Sequence, residues 1–191
     1  EDETRVTPIA DVVPGATAQF EVTVTSTEIA YRPKRQLVSR VEDGSGELVL
    51  RFLNFYPSQQ KVLQPGARLR VFGEVRGGFW GSEIIHPRCH VLHGEEPLPT
   101  ALTPVYPTTA GLGQAMLRKL IARALDEVDL AETLPSELIA LLMLQDFATS
   151  VHALHAPSPG LDAEALTRYQ QPYWQRIAFD EGRAEMGGQA R

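Results

Sequence analysis

Phe55 and Tyr56 stand side by side after Arg51 and before Pro57 in the stretch LVLRFLNFYPSQQ, residues 48–60. Exposed aromatic faces beside a guanidinium suit the stacking of a nucleic-acid base with its phosphate held alongside. A packed sheet edge would carry the same residues with no ligand, and they would then lie under the following loop. Two more groups of this type occur in the first half of the chain. Tyr31-Arg32-Pro33-Lys34-Arg35 is a basic loop holding one aromatic, and Gly77-Gly78-Phe79-Trp80-Gly81 is a glycine-flanked tip holding two. Phe55, Tyr56, Phe79 and Trp80 are thus candidates for base stacking. Arg32, Lys34, Arg35, Arg51, Arg68, Arg70 and Arg76 are candidates for phosphate contacts, or else a solvated face.

Other chemistry finds less support. His86, Cys89, His90 and His93 invite a metal reading, but on a strand His86 and His90 face opposite to Cys89 and His93. The four therefore cannot converge on one tetrahedral ion, and no metal site is expected. No nucleophile elbow or ordered Ser, His and acid arrangement occurs, so no catalytic residue is assigned.

The elements that must position these groups are read from hydrophobic period. Residues 48, 50 and 52 fall on one face of a strand and 49, 51, 53 and 55 on the other, which points Phe52 inward and Phe55 outward. Before it, Phe20, Val22 and Val24 alternate with polar residues over 18–25, and a second strand covers 37–41. Glu42-Asp43-Gly44-Ser45-Gly46 is a hairpin turn into the third strand. A fourth strand spans 69–75 and a fifth 82–92, with a weakly helical stretch at 58–63 between the third and fourth. Five short strands without a helical crossover predict a small antiparallel barrel, a five-stranded OB fold first and an SH3-like barrel second. In an OB fold the ligand crosses the second and third strands between the loop joining strands one and two and the loop joining four and five. Those loops are here 31–35 and 77–81.

The predicted organisation is a barrel over 1–93, a Pro-rich connecting segment over 94–111, a helical region over 112–181 and a disordered tail over 182–191. The connecting segment is too apolar for a free linker and is expected against the barrel. Helices are expected at about 113–128, at 135–144, before Pro157 and from about Ala163, the last capped by Asp162. The fold class is therefore β + α.

The 191 residues contain 18 Lys and Arg and 24 Asp and Glu, a net charge of -6 that is unevenly spread. Residues 4–93 carry 11 basic side chains against 8 acidic, whereas 94–191 carry 7 against 13. An anion-binding surface belongs to the first half. No run of about eighteen apolar residues and no leader-like N-terminus is present, and Cys89 is the single cysteine. These features suggest a cytoplasmic protein, or a piece of one.

The segments TRVTPIADVVPG, VEDGSGELVLRFLNF, LQPGARLRVFGEVRGGFWG, IIHPRCHVL and LTPVYPTTAGL, in this order before a helix with LRKLI, resemble the wedge domain and linker of the RecG family of ATP-dependent DNA helicases. The likeness covers residues 3–179, and RYQQPYWQRIAFDE resembles the approach to that family's motor domains. The resemblance implies an OB-fold wedge that docks on branched DNA, at stalled forks and Holliday junctions, and parts the strands as a motor pulls the duplex. It implies roles in recombination, repair, branch migration and fork reversal, a nucleoid-associated cytoplasmic location, and base stacking by Phe52, Phe55 and Tyr56. Many relatives carry two adjacent aromatics where this chain has Phe52-Leu53. ATP and Mg2+ are implied for the parent helicase, yet no G-x-x-x-x-G-K-[ST] occurs in these residues, so the chain reads as a helicase fragment or a truncated relative. The alternative is an OB-fold protein-interaction module whose basic, aromatic groove takes an acidic peptide, such as the tail of single-stranded DNA-binding protein.

Overall fold

The computed structural model describes residues 1–32, 34–78, 81–108, 111–158 and 171–188. The chain divides into a sheet unit, Asp2–Pro99, and a helical unit from Thr100 onward that also takes in Glu1.

The sheet unit opens with a 3-10 turn, Ile9–Asp11, and continues as β1 Thr17–Ala30, β2 Gln36–Glu42, β3 Glu47–Phe52, α1 Pro57–Val62, β4 Arg68–Glu74, β5 Arg76–Gly78, β6 Gly81–Ile85 and β7 Arg88–Val91. The seven strands form one sheet in the order β5-β6-β3-β2-β1-β4-β7. This is a mixed sheet, since β3 and β6 pair in parallel while the other pairs are antiparallel.

Seven strands stand where five were expected for two local reasons. The fourth expected strand runs past Val75 into β5, and Val75 itself still bonds to the chain before β1, through Ala16 O at 2.9 Å and Gly15 N–H at 2.7 Å. The fifth breaks at His86-Pro87, where proline has no N–H for a ladder, and resumes as β7. Because only Val75 separates β4 from β5, the first strand of the hydrogen-bonded order and the last but one are one run of chain, and the sheet curls onto itself. Gly73 permits the closure: a Cβ there would lie 2.6 Å from Ile84 Cγ2.

A bulge between Val24 and Ser26 bends β1, so that residues 17–23 pair with β4 and 23–30 with β2. The core is built from the inward positions of these strands. Phe20, Leu37, Val41, Leu48, Leu50, Leu69, Val71 and Val75 are fully buried in it, each large side chain contributing about 1.5–3 kcal/mol. The hairpin between β2 and β3 is held by Asp43, whose Oδ1 accepts from Ser45 N–H at 2.8 Å and Gly46 N–H at 3.1 Å. Its Oδ2 accepts from Ile9 N–H at 2.8 Å, tying the 3-10 turn to the hairpin.

The helical unit contains α2 Gln114–Glu127, α3 Ser136–Leu142, α4 Phe147–His155 and α5 Pro172–Gly188. Asp146 caps α4 by accepting from Thr149 N–H at 2.8 Å. The helix expected from Ala163 begins outside the described residues, and residues 182–188, expected to be a disordered tail, continue α5. The Pro-rich segment is shared between the units. Glu96 and Pro97 offer carbonyls to Arg70, whereas Leu102 N–H donates to Pro157 O at 2.8 Å and Tyr106 exchanges two hydrogen bonds with the Gln114 amide. No single helix among the described residues is long and apolar enough to cross a membrane.

Candidate nucleic-acid interface

Antiparallel register brings the β1–β2 loop to the end of β3. Leu37 faces Phe52, so Arg35 stands level with the residues that follow β3. The Arg35 guanidinium lies over the Phe55 ring, 4.3 Å from its centroid, a cation–π contact worth about 0.5–1 kcal/mol at an exposed site. Phe55 is half-buried and packs against the core. Tyr56 is 75% exposed. It is the N-cap of α1, with Pro57 opening the helix, and its N–H donates to Gln59 Oε1 at 2.9 Å. Those constraints hold its backbone extended and leave the phenol in solvent.

Tyr31 is 70% exposed on the same loop as Arg32, Lys34 and Arg35, all exposed. Among the described residues these three cations make no ion pair. A rim of three uncompensated cations, two exposed tyrosines and the Arg35–Phe55 stack therefore lies at one end of the sheet. Such a rim offers positive charge for phosphates and flat faces for bases in the same place.

The remaining candidates are placed differently. Phe52, expected to stack, is 3% exposed and belongs to the core cluster; a base cannot reach its face. Arg51 is committed to Glu83, Nε to Oε2 at 2.6 Å, and to Gln36 Oε1 at 3.4 Å. Arg70 donates to Glu21 Oε1 at 2.6 Å and to the carbonyls of Glu96 and Pro97, which spends its donors inside the fold. Arg68 is exposed, with Glu21 at 3.9 Å, and Arg76 pairs with Glu74 at 3.0 Å. The hydrogen bond and charge of Arg76 hold the Glu74 carboxyl below its usual range. By sheet order β4 is separated from β2 by β1, so Arg68 and Arg70 do not join the rim. Phe79 and Trp80 lie outside the described residues.

The histidines and the cysteine part ways as well. Burial pushes the Cys89 thiol up to about 12, which removes it as a thiolate at neutral pH. His90 Nε2 is 2.7 Å from Glu96 Oε2. Among the described residues no group of three or more His, Cys, Asp or Glu is placed to hold a metal ion. A cleft of about 190 Å3 lies between α1 and the turn after β6, lined by Phe52, Ser58, Gln59, Val62, Leu63, Pro87 and Cys89.

Two residues of this region were not singled out by sequence reasoning for the roles they hold. Glu83 neutralises Arg51, and nothing in a lone acidic residue on a predicted strand announces its partner. His86 is exposed at the end of β6 with φ +53°. Its signal was the His-Pro dipeptide, which interrupts the fifth strand's alternation.

Comparison with known proteins is specific. Residues 1–128 match the family model described as RecG wedge domain. The ATP-dependent DNA helicase RecG of Pasteurella multocida (strain Pm70) is 38% identical over 186 residues, which cover 95% of this chain and 27% of that protein. The protein of the same name from Escherichia coli (strain K12) is 37% identical over 187 residues, again 95% of this chain and 27% of the relative. The chain therefore spans about a quarter of the length of these relatives. A solved structure of RecG bound to a three-way DNA junction superposes with a TM-score of 0.64 at 22% identity, covering 83% of this chain and 22% of that one, a likeness of fold.

Proposed function

We infer, from the premise that this chain belongs to the RecG wedge domain family, that it binds branched DNA and holds the strands apart at the branch point. The observation that carries this is the rim at the β1–β2 loop and β3 end, where Arg32, Lys34 and Arg35 are unneutralised among the described residues beside Tyr31, Phe55 and Tyr56. The curled sheet is read as an OB barrel in which β4 with β5 serves as the fourth strand and β6 as the fifth, so the rim falls where such barrels take single strands. Phosphate contacts by the three cations position the DNA without reading its sequence, and the preference for a branch comes from shape. Tyr56 supplies the exposed face on which an opened base stacks, and the Arg35–Phe55 stack beside it holds a guanidinium ready for the neighbouring phosphate.

The relatives' name, ATP-dependent DNA helicase, supports the wider reading that the chain works within a motor protein that reverses stalled forks and migrates Holliday junctions in recombination and repair. On that reading the motor domains are its covalent partners and supply the ATP and Mg2+ chemistry. The residues in hand contain no phosphate-cradling G-x-x-x-x-G-K-[ST], and no step through ATP is derived from them. A second reading uses the same rim, since three cations without an ion pair among the described residues and two tyrosines also suit an acidic peptide such as the tail of single-stranded DNA-binding protein.

Fluorescence anisotropy of the 191-residue chain against a three-way junction, a matched linear duplex and an acidic peptide separates these readings. Junction binding should exceed duplex binding. With three phosphates neutralised, log affinity should fall with log salt at a slope of about -2.7. Replacing Arg32, Lys34 and Arg35 together by Glu should abolish junction binding at moderate salt, and unchanged affinity would rule this interface out. Peptide binding without junction preference would transfer the rim to the second reading.

A further inference from the structure

The most unusual backbone near the rim belongs to His86, and its chemistry has no other assignment. Two non-glycine residues among those described have positive φ, His86 at +53° and Met143 at +51°. Met143 ends α3, where a left-handed residue is ordinary. His86 precedes Pro87, and a following proline drives a residue toward extended backbone with negative φ. A left-handed histidine at that place is costly, and such outliers gather at functional sites.

Its surroundings show what the cost secures. His86 N–H donates to Arg51 O at 2.7 Å, which anchors the turn to the last residues of β3. The imidazole meets the Phe52 ring edge-on, with centroids 6.2 Å apart and planes at 84°. Phe52 is buried and His86 is exposed. At the position where the family resemblance implies that Phe52 meets a base, the ring that faces solvent is His86. The end of β3 is thus flanked by Arg35 on the β2 side and by His86 on the β6 side.

We propose that His86 is a base-stacking residue of this interface, its imidazole, backed by Phe52, giving an unpaired base at the branch an aromatic face that Phe52 itself cannot offer. Imidazole is among the rings on which nucleic-acid bases stack. The proposal rests on the DNA-binding reading above and adds a second stacking position, across the strand end from Tyr56.

Two substitutions separate a functional ring from a structural corner. His86→Asn keeps a residue that tolerates left-handed backbone and removes the ring, and His86→Gly removes ring and strain together. Each 191-residue variant is titrated by anisotropy against a three-way junction with 2-aminopurine at the first unpaired position, and its melting temperature is recorded. Both variants should bind about fivefold or more weakly and show a reduced 2-aminopurine response on binding. His86→Asn should melt near the wild type, and His86→Gly at or above it. Affinities within about twofold of wild type, less than 0.5 kcal/mol, or an unchanged 2-aminopurine response, would overturn the proposal. So would collapse of the melt in both variants, which would make His86 a structural corner. If the wild type fails to prefer the junction, the DNA-binding reading falls and this proposal with it. If the wild type binds and the Arg32, Lys34, Arg35 triple substitution abolishes binding while His86→Asn does not weaken it, only the role of His86 is refuted.

Discussion

Arg35 and Arg51 carry the same guanidinium and would offer a phosphate very different partners. Arg51 is desolvated to 17% side-chain exposure and held by Glu83, so a phosphate would have to break an ion pair to reach it. Arg35 is exposed, rests on an aromatic face and makes no ion pair among the described residues. The aromatics divide in the same way. Phe52→Ala should cost about 3–5 kcal/mol of stability by opening a cavity in the core of the sheet unit, whereas Tyr56→Ala should leave the melt unchanged and weaken junction binding by about 1–3 kcal/mol. Thermal melts and anisotropy on the two variants check this, and a destabilised Tyr56→Ala would mean that the exposed phenol is structural.

At the scale of elements, Arg176 ties α5 to the chain on either side of α3. Arg176 is buried, donates to both oxygens of Glu132 at 2.6 and 2.7 Å, to Asp180 at 2.8 Å and to the Gln145 carbonyl at 2.9 Å, and lies 5.3 Å from the Phe147 centroid. The Arg176 hydrogen bonds lead the causes that hold the Glu132 carboxyl down at about 2. One arginine therefore joins the chain before α3, the start of α4 and the first turns of α5. Removing one partner of a buried pair strands the other charge, so Arg176→Ala should cost the helical unit about 3–5 kcal/mol. Loss of helical signal at lower temperature in circular dichroism would show it, with the sheet unit's transition unmoved. A change below about 1 kcal/mol would mean that the pair is no better than a surface one.

For the molecule as a whole, charge and titration fall to different units. The basic excess sits on residues 4–93 and the acidic excess on 94–191. His155, hydrogen-bonded to the Tyr106 hydroxyl at 2.9 Å, has its pKa lowered from 6.5, by burial first and then by the charge of His152. A histidine with a lowered folded pKa takes up protons more readily when unfolded, so its contribution is present above 6.5 and lost as pH falls below it. Glu132 contributes stability above its ordinary 4.5 that is lost as pH falls toward about 2. In the sheet unit, burial works to raise the Asp43 pKa, but hydrogen bonds from Ser45, Ile9 and Gly46 outweigh it, and the net shift is below 3.8. Acidification from pH 8 to pH 5 should therefore weaken the helical unit while the sheet unit keeps its stability. Melts followed at helix and aromatic wavelengths across that range test the order, and a sheet unit that fails first would refute it.

Alternation and turn chemistry are local, and local reading reached far here. Phe20, Val22 and Val24, then Leu48, Leu50 and Phe52, show by period alone which faces are core, and Asp43-Gly44 marks the hairpin that sets the β2–β3 register. The same register carries the basic loop to the end of β3, so the rim was legible as a place. Which cations remain free there was not legible. Pairing of Arg51 with Glu83 spans 32 residues and that of Arg70 with Glu21 spans 49, and no period in the sequence encodes a contact made only when distant strands meet. The place of His86 beside Phe52 at the surface has the same origin. Period shows that Phe52 points inward, but which ring is brought to its edge is settled by the parallel β3–β6 pairing, a consequence of the sheet curling onto itself.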